Sequence, residues 1–202
     1  YPMDRFTSLD AVFEHVWDRV EGGASDPGHP FRTPTVGTTN ADRPALRTVV
    51  LRSTDPEARR LAFHTDRQSQ KVTDIRDHPH VAWHWWDPEA REQLRLRGTA
   101  TVHTDDAVAD AMWENQDPAS LAVHVRTAAS GTSLDSPHDA LGESVQSEPV
   151  TREDVASGRE HFAVVRTVVD VVDWLHLHPE GHYRARFQCP PGEVVEGTWV
   201  VP

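Results

Sequence analysis

The stretch RTVVLRSTDPEARRLAFHTDRQSQK, residues 47–71, decides the fold that the sequence predicts. It begins with RTVVLR (47–52), whose β-branched and apolar centre between two arginines is typical of a strand. STDPE (53–57) favours a turn, and LAFHT (61–65) predicts the returning strand. DRQSQK (66–71) then brings amide, hydroxyl and cationic donors to a predicted helix start, where an anion binds favourably. The stretch therefore predicts a β-hairpin followed by an anion site.

Lys71 is the only lysine in the chain, which contains 20 lysine and arginine residues in total. Because every other cation of this group is arginine, the remaining lysine indicates that an ammonium is needed at this position. A solvated surface lysine is the alternative interpretation. Both interpretations remain open from the residues alone.

Length, charge and cysteine content limit the possible classes. The 202 residues favour one domain over residues 1–202. The formal net charge of −12 argues against binding to nucleic acid or to an anionic membrane surface. A single cysteine, Cys189, excludes an intramolecular disulfide and a thiolate-rich metal site. The sequence has no apolar run of membrane-spanning length and no signal-peptide pattern, so a cytoplasmic location is expected.

Periodicity along the chain predicts many strands and few, short helices. Residues 129–160 are rich in Gly, Ser, Pro, Asp and Glu, which predicts a flexible segment or a flap. The pattern contains no βαβ alternation, so it favours an antiparallel barrel with peripheral helices. Strands are predicted at 33–39, 47–52, 61–65, 81–86, 92–102, 162–177, 182–187 and 198–201, and helices at 8–21 (stopped by Gly22 and Gly23), 71–78, 105–115 and 119–128.

Six motifs occur in order along the chain: RTVVLR (47–52), FHTD (63–66), SQK (69–71), REQLRLRG (91–98), AASGTS (128–133), and Trp174 followed ten residues later by Arg184. Together they resemble the FMN-binding motifs of the pyridoxamine 5'-phosphate oxidase-like split-barrel family. The resemblance covers roughly residues 30–202, with the order and spacing of the motifs maintained. It implies a mainly β fold with peripheral helices, a six-stranded antiparallel split β-barrel, and a homodimer that binds two FMN molecules at its subunit interface.

The resemblance also implies which residues bind FMN. Arg47 and Lys71 resemble the residues that hold its phosphate, and Thr65 and Ser69 resemble neighbouring hydroxyl donors. A phosphate dianion suits a guanidinium fork combined with an ammonium. On the strand that meets the flavin ring, the implied FMN contacts are Thr48, Val49, Val50, Leu51 and Arg52. Further contacts are implied for His64, Gln70 and Gln93, and for Trp174 with Arg184 as a pair at the ring edge. A loop of the second subunit is implied to add Ser130 and Ser133.

Departures from the family pattern affect the substrate more than the cofactor. The helix that presents a Tyr, an Arg and a Ser to a substrate phosphate reads MWENQDPAS here (112–120) and contains no arginine. Glu180 stands at the first arginine of the family's Arg-x-His motif, whereas His182 matches its histidine. We therefore expect the protein to oxidise pyridoxine or pyridoxamine phosphate poorly and to act on a neutral or cationic substrate. His182 is the candidate catalytic residue, which would either form a hydrogen bond to the substrate or carry a proton. The motifs that bind the flavin also differ from the family pattern at three positions. Gln70 stands where the family has Arg, His64 stands where it has Tyr, and Thr132 stands where it has Gln.

Other functions remain as alternatives. Two histidine triplets share the spacing H-x-H-x₃-H (His78, His80 and His84; His176, His178 and His182), which would suit a metal ion. No carboxylate motif accompanies either triplet and a proline interrupts each, so no metal site is predicted. A serine hydrolase is disfavoured because no Gly-x-Ser-x-Gly motif occurs. A non-enzymatic flavin- or heme-handling module, and the deazaflavin F420 in place of FMN, remain open.

Overall fold

The strands pair antiparallel throughout and build one sheet in the computed structural model, which describes residues 6–138, 140–146 and 148–202. In this part of the chain the sheet has nine strands, whereas the resemblance implied six. The strands are β1 (Thr35–Asn40), β2 (Arg43–Thr48), β3 (Leu51–Asp55), β4 (Arg60–Asp66), β5 (His80–Asp87), β6 (Glu92–His103), β7 (Phe162–His176), β8 (Tyr183–Gln188) and β9 (Glu196–Val200).

Five α-helices lie around the sheet in the described residues, joined by short 3-10 turns. Among these residues, none of the helices combines the length and the apolar character needed to cross a membrane. The helices are α1 (Leu9–Ser25), α2 (Gln70–Asp77), α3 (Ala107–Glu114), α4 (Pro118–Leu121) and α5 (Arg152–Val155), and the 3-10 turns are Pro30–Arg32, Ala122–His124, Glu143–Val145 and Ala156–His161.

The sheet is split at its longest strand. Neighbouring strands follow the order β2-β1-β5-β6-β7-β4-β3, with β8 paired to β7 and β9 paired to β8. The first half of β7 pairs with β4, while its second half, from Val171 to His176, pairs with β8. One edge of β7 therefore serves two neighbours in succession, which gives the split barrel that the resemblance implied.

The prediction of a single strand over residues 47–52 is wrong. β2 ends at Thr48 and pairs with β1, whereas β3 begins at Leu51 and pairs with β4. Between them the backbone N–H of Val49 donates to the carbonyl of Pro34 at 2.9 Å. Because β2 and β3 lie at opposite ends of the strand order, this short link closes the barrel, and the β-branched run is divided between two different pairings.

Helix α1 packs its apolar stripe onto the barrel. Val12, Val16 and Val20 are buried there, as the periodicity predicted. The helix continues through Gly22 and Gly23 to Ser25, so the predicted stop at the glycines is wrong. A Cβ at Gly23 would lie 2.6 Å from the carbonyl oxygen of Phe31, so glycine is required there for close approach.

A second apolar cluster lies on the other side of β4 and β7. It includes Trp113 of α3 and Phe162 of β7. Val145 and Val155 from the segment predicted to be flexible also pack into this cluster, and Val155 is fully buried. The later part of that segment is therefore a packed layer, while the described residues 129–138 are mostly exposed.

Candidate functional site

Lys71, Thr65 and Ser69 converge where β4 leads into α2. The Lys71 Nζ donates to Thr65 Oγ1 at 3.0 Å, and Thr65 Oγ1 lies 3.2 Å from Ser69 Oγ. Both hydroxyl residues are buried. Ser69 occupies the N-cap position of α2, but its side chain makes no capping hydrogen bond to the helix. Its hydroxyl and the free N–H groups of the helix start therefore face the same site as the ammonium.

Arg47 reaches this site from β2 and is held there by a buried carboxylate. Its Nη1 donates to Thr38 Oγ1 at 2.7 Å, and its Nη2 lies 3.6 Å from Asp74 Oδ2. Asp74 is 2% exposed and also accepts hydrogen bonds from Thr38, Asn40 and Gln70 at 2.7–3.0 Å. The Gln70 side chain is thus bonded to Asp74, and the structure gives it a supporting position rather than a direct place among the phosphate donors.

Charge in this group, which we call the cradle (Arg47, Thr65, Ser69 and Lys71), favours an anion. Burial and then the nearby Arg47 lower the pKa of Lys71, while Asp66 and Asp74 act in the opposite direction. Burial also lowers the pKa of Arg47, opposed by Asp74. Two partly desolvated cations held close together are stabilised by a doubly negative group between them. The donor set therefore fits the phosphate of FMN.

The predicted flavin strand provides fewer free backbone groups than expected. The Val49 N–H is bonded to Pro34, and the Leu51 carbonyl accepts from Arg32 Nη1 at 2.9 Å. Arg52 lies at an irregularity between Leu51 and Ser53, where the pairing of β3 with β4 shifts. Its guanidinium is half-buried, and burial followed by Arg32 lowers its pKa.

His64 lies on the opposite side of β4 from the cradle hydroxyls. Its ring packs edge-on against Phe162 with a centroid separation of 4.8 Å. Its Nε2 is buried and has no hydrogen-bond partner in the described residues. Burial, then Arg52 and His124, lower the pKa of His64 to about 3, and burial is also the main cause that lowers the pKa of His124 to about 4. Both imidazoles are therefore neutral at pH 7.

Gln93 and Arg184, two predicted flavin contacts, share one face of the sheet. They lie in a cross-strand row in which Trp86 pairs with Gln93, Gln93 with Leu175, and Leu175 with Arg184. Two further rows lie on the same face, because side chains alternate along each strand. We call this surface the outer face; its other rows are His84, Arg95, Asp173 and Arg186, and then Leu46, Gly37, Ala82, Arg97, Val171 and Gln188.

Trp174 lies on the opposite, inner face, so Trp174 and Arg184 of one chain point to different sides of the sheet. The Trp174 side chain is fully buried and its Nε1 donates to the buried Glu92. Trp174 pairs in register with Ala185, one residue out of step with Arg184. The alternation of side chains then places the two on opposite sides of the sheet. The role of Trp174 at the flavin edge stays a prediction.

The other predicted residues lie at the surface or between strands. Thr48 is exposed at the end of β2, and Val50 is half-buried in the link to β3. Ser130 and Ser133 are exposed in the loop that was assigned to the second subunit. His182 is exposed in the turn before β8, two residues before Arg184. The structure does not bring these residues to the cradle, and their functions stay predictions.

The helix expected to bind a substrate phosphate has an arginine beside it that the sequence reading missed. Arg152 of α5 donates to the carbonyl oxygens of Trp113 and Glu114 at 3.0 Å and also to that of Gln116. Its guanidinium is therefore bonded to the end of α3. Glu114 and Asp117 remain the charged side chains of this segment, as the sequence indicated.

Two members of the second histidine triplet, His176 and His178, pack edge-on with ring centroids 5.5 Å apart. Within the described residues, no three His, Cys, Asp or Glu side chains are arranged to hold a metal ion. His84 lies on the outer face with its Nε2 3.4 Å from Gln93 Oε1. His176 is buried and its Nδ1 lies 2.8 Å from the Tyr183 hydroxyl.

Sequence reasoning missed Asp74 and a cluster centred on Asp173. Arg184 binds Asp173 through Nε and Nη2 at 2.8 and 2.6 Å, and Arg95 and Arg186 each approach it at 3.1 Å. The alternation of arginines at 95 and 97 and at 184 and 186 is a signal for two charged strand faces. That these faces adjoin depends on strand register, which the sequence does not show.

Comparison with known proteins finds a family model and curated relatives that are described as pyridoxamine 5'-phosphate oxidases. Residues 10–104 match the model of the family described as pyridoxamine 5'-phosphate oxidase, FMN-binding domain. The pyridoxine/pyridoxamine 5'-phosphate oxidase of Caulobacter vibrioides is 37% identical over 99 residues, which are 48% of this chain and 42% of that protein. Its counterpart from Myxococcus xanthus is 34% identical over 116 residues, 57% of this chain and 50% of that protein. The matches thus span about half the length of these relatives or less.

Two crystal structures extend the similarity over nearly the whole chain. A pyridoxamine 5'-phosphate oxidase-related, FMN binding protein from Nostoc punctiforme superposes with a TM-score of 0.70 and 23% identity, covering 94% of this chain and 96% of that one. PhzG from Burkholderia lata, in complex with tetrahydrophenazine-1-carboxylic acid, gives a TM-score of 0.66 at 15% identity, covering 98% and 95%. These two likenesses show the fold, and the family match identifies an FMN-binding domain. The chain thus has the split-barrel fold of these proteins, and its residues 10–104 are similar to the FMN-binding domain of the pyridoxamine 5'-phosphate oxidase family.

Proposed function

We propose that the chain is an FMN-dependent oxidoreductase in which the cradle holds the FMN phosphate. The convergence of Lys71, Arg47 and the Thr65 and Ser69 hydroxyls carries this proposal. FMN, when bound, supplies the electron-accepting chemistry, and the protein supplies position and electrostatics. Asp74 orients Arg47 and Gln70, so that the phosphate meets donors that are already in place.

The functional unit that we propose is a homodimer with shared flavin sites. Arg47 belongs to an inner-face row with Val36 and Trp83, since these residues pair across β2, β1 and β5. Gln93 and Arg184 lie on the outer face of the same sheet. One flavin cannot contact both faces of a sheet in a single chain. A second copy that presents its outer face to the cradle would complete each site, and Ser130 and Ser133 would join from its exposed loop.

The absorption spectrum of the purified protein tests the cofactor. We expect flavin bands, or binding of added FMN with micromolar affinity or better, and a dimer by light scattering. Riboflavin lacks the phosphate, so it should bind at least tenfold more weakly than FMN. Equal affinity for the two flavins, or tight FMN binding by a stable monomer, would contradict this site.

Turnover separates an enzyme from a flavin- or heme-handling module. Consumption of NADH or NADPH by the FMN-loaded protein, followed at 340 nm, is expected for an oxidoreductase. Stoichiometric binding of flavin or heme without turnover of a reduced substrate would favour the module.

Oxygen consumption with pyridoxamine phosphate should be low, because Glu114, Asp117 and Glu180 stand where cations would be needed. Rapid oxidation of pyridoxamine phosphate would overturn that part.

A further inference from the structure

The middle row of the outer face concentrates positive charge around one carboxylate. His84 pairs with Arg95, Arg95 with Asp173, and Asp173 with Arg186, so four neighbouring strands each contribute one side chain. Arg184, from the next row, binds Asp173 with two hydrogen bonds. A single arginine in this geometry already satisfies a carboxylate. Two further arginines exceed what neutralisation of Asp173 requires.

The excess charge persists when the surroundings are included. Burial opposes ionisation of Asp173, but hydrogen bonds from Arg184 and Arg186 lower its pKa to about 2, so it is ionised at neutral pH. Arg97 adds a further guanidinium in the adjacent row, and no ion pair within 4.0 Å joins it to a carboxylate of the described residues. Asp170, which lines the groove beside Arg97, adds one negative charge, and Glu196, which pairs with Gln188 on β9, adds another. Four arginines therefore still outnumber three carboxylates on this face, in a chain whose formal net charge is −12.

The charge lies in a concave surface with an apolar extension. A cavity of about 320 Å³ is lined by His84, Arg95, Arg97, Asp173, Arg184 and Arg186. It shares Ala82, Arg97 and Val171 with a groove of about 880 Å³, which is otherwise lined by residues such as Leu46, Pro190 and Pro191. Leu46 is 73% exposed, so the groove presents apolar surface to a ligand. A ligand that matches both parts has an apolar body and one anionic end.

We propose that this part of the outer face is the subsite for a small organic carboxylate, which is the substrate of the flavin enzyme proposed above. Arg95, Arg97 and Arg186 bind the carboxylate, and the apolar body lies along Ala82 and Val171. The cluster already holds the carboxylate of Asp173, so its guanidinium spacing suits that group. The inference rests on the proposed function because the predicted flavin contacts Gln93 and Arg184 occupy the neighbouring row. It replaces the expectation of a neutral or cationic substrate.

Calorimetric titration with benzoate tests the subsite, with benzamide as the neutral isostere and phenyl phosphate as the dianionic comparison. We expect benzoate to bind at least tenfold more tightly than benzamide, more tightly than phenyl phosphate, and more weakly as salt rises.

Arg186→Gln and Arg97→Gln should each reduce the benzoate affinity about tenfold. Arg97→Gln leaves the Asp173 cluster intact, so it keeps the test valid if Arg186→Gln disturbs folding. Arg76→Gln, at an exposed position on α2, removes the same charge elsewhere and should change nothing.

Titration with FMN on the same variants separates this inference from the proposed function. Loss of benzoate binding with unchanged FMN affinity and an intact dimer supports a separate carboxylate subsite. Benzamide binding as tightly as benzoate, or phenyl phosphate binding more tightly, overturns the inference. The inference is also overturned if Arg97→Gln dissociates the dimer and the parent protein does not bind benzoate. In that case the outer face is the contact surface for a second copy of the chain. Failure of the parent protein to bind FMN would instead overturn the proposed function.

Discussion

The cradle and the outer face both hold arginine beside aspartate, but the chain builds them in different ways. The cradle takes Thr65 from the end of β4, Ser69 and Lys71 from the start of α2, and Arg47 from β2. The outer-face cluster takes its residues from β6, β7 and β8, whose sequence positions extend from Arg95 to Arg186. Spacing along the chain determines which residues come together in most of the cradle, whereas strand register determines which residues come together in the outer-face cluster.

The two central aspartates differ in the same way. Asp74 is buried among neutral donors, with Arg47 at 3.6 Å, and it fixes the groups that would hold the cofactor. Asp173 is surrounded by guanidiniums, of which Arg95 and Arg186 are 44% and 42% exposed. Asp74 is part of a desolvated scaffold, whereas Asp173 is itself buried, at 7% exposure, but has arginine partners that retain contact with water. The comparison indicates that acid and mutation should affect the two regions unequally.

Acid should first destabilise the layer around His64 and His124, which both pack on Phe162, on the opposite side of β4 from the cradle hydroxyls. The pKa values of His64 and His124 are lowered to about 3 and about 4, so the unfolded chain takes up protons near pH 6.5 that the folded chain does not. Their stabilisation is complete above pH 6.5 and is lost as the pH falls towards these folded values. The free energy of unfolding should fall by about 1.4 kcal/mol per pH unit for each histidine. Urea unfolding at pH 7 and pH 5 measures the loss.

His64→Tyr introduces the residue that the family carries and removes one of the two titrations. The loss between pH 7 and pH 5 should become about half as large, and a His78→Gln control at an exposed position should leave it unchanged. Asp173, with its pKa of about 2, stays ionised over this range, so benzoate binding at the outer face should persist at pH 5. An unchanged pH dependence in His64→Tyr would contradict the comparison.

Replacing the two aspartates compares the regions directly. Asp74→Asn leaves the donors of Thr38, Asn40 and Gln70 without a full set of acceptors in a buried position, and it should destabilise the protein by about 2–3 kcal/mol. Asp173→Asn should cost about 1 kcal/mol or less, because exposed guanidiniums return to water. Urea midpoints at pH 7 measure both. Equal losses would mean that exposure does not distinguish the two sites.

Removing the cradle cations should have the smallest of these effects on free energy, and it should be specific to the phosphate. Lys71→Ala and Arg47→Ala should each weaken FMN binding roughly tenfold or more, about 1.4 kcal/mol, from the loss of a charged hydrogen bond. Fluorescence titration with riboflavin is the control, since that flavin should bind the variants and the parent protein alike. If the variants bind FMN like the parent protein, the assignment of the phosphate site is wrong.

The family resemblance grouped Arg47, Thr65, Ser69 and Lys71, and the structure brings these four together. That they bind the FMN phosphate stays a prediction. Reasoning from residue type made RTVVLR one strand, because β-branched residues favour strands without showing that the pairing partner changes at Val49. It also ended α1 at Gly22, although Gly23 is explained by its close approach to Phe31 rather than by a helix end.

The sequence by itself indicated the antiparallel barrel, because strand periodicity and residue type predict it, and its motifs gave the resemblance from which the cradle residues were named. Only the tertiary structure placed Trp174 and Arg184 on opposite faces of the sheet, bound Gln70 to Asp74, and aligned Arg95, Asp173 and Arg186 in one row. A shift of one residue in register moves every side chain of a strand to the other face. Residues far apart in sequence therefore have no defined neighbours until strand pairing sets that register.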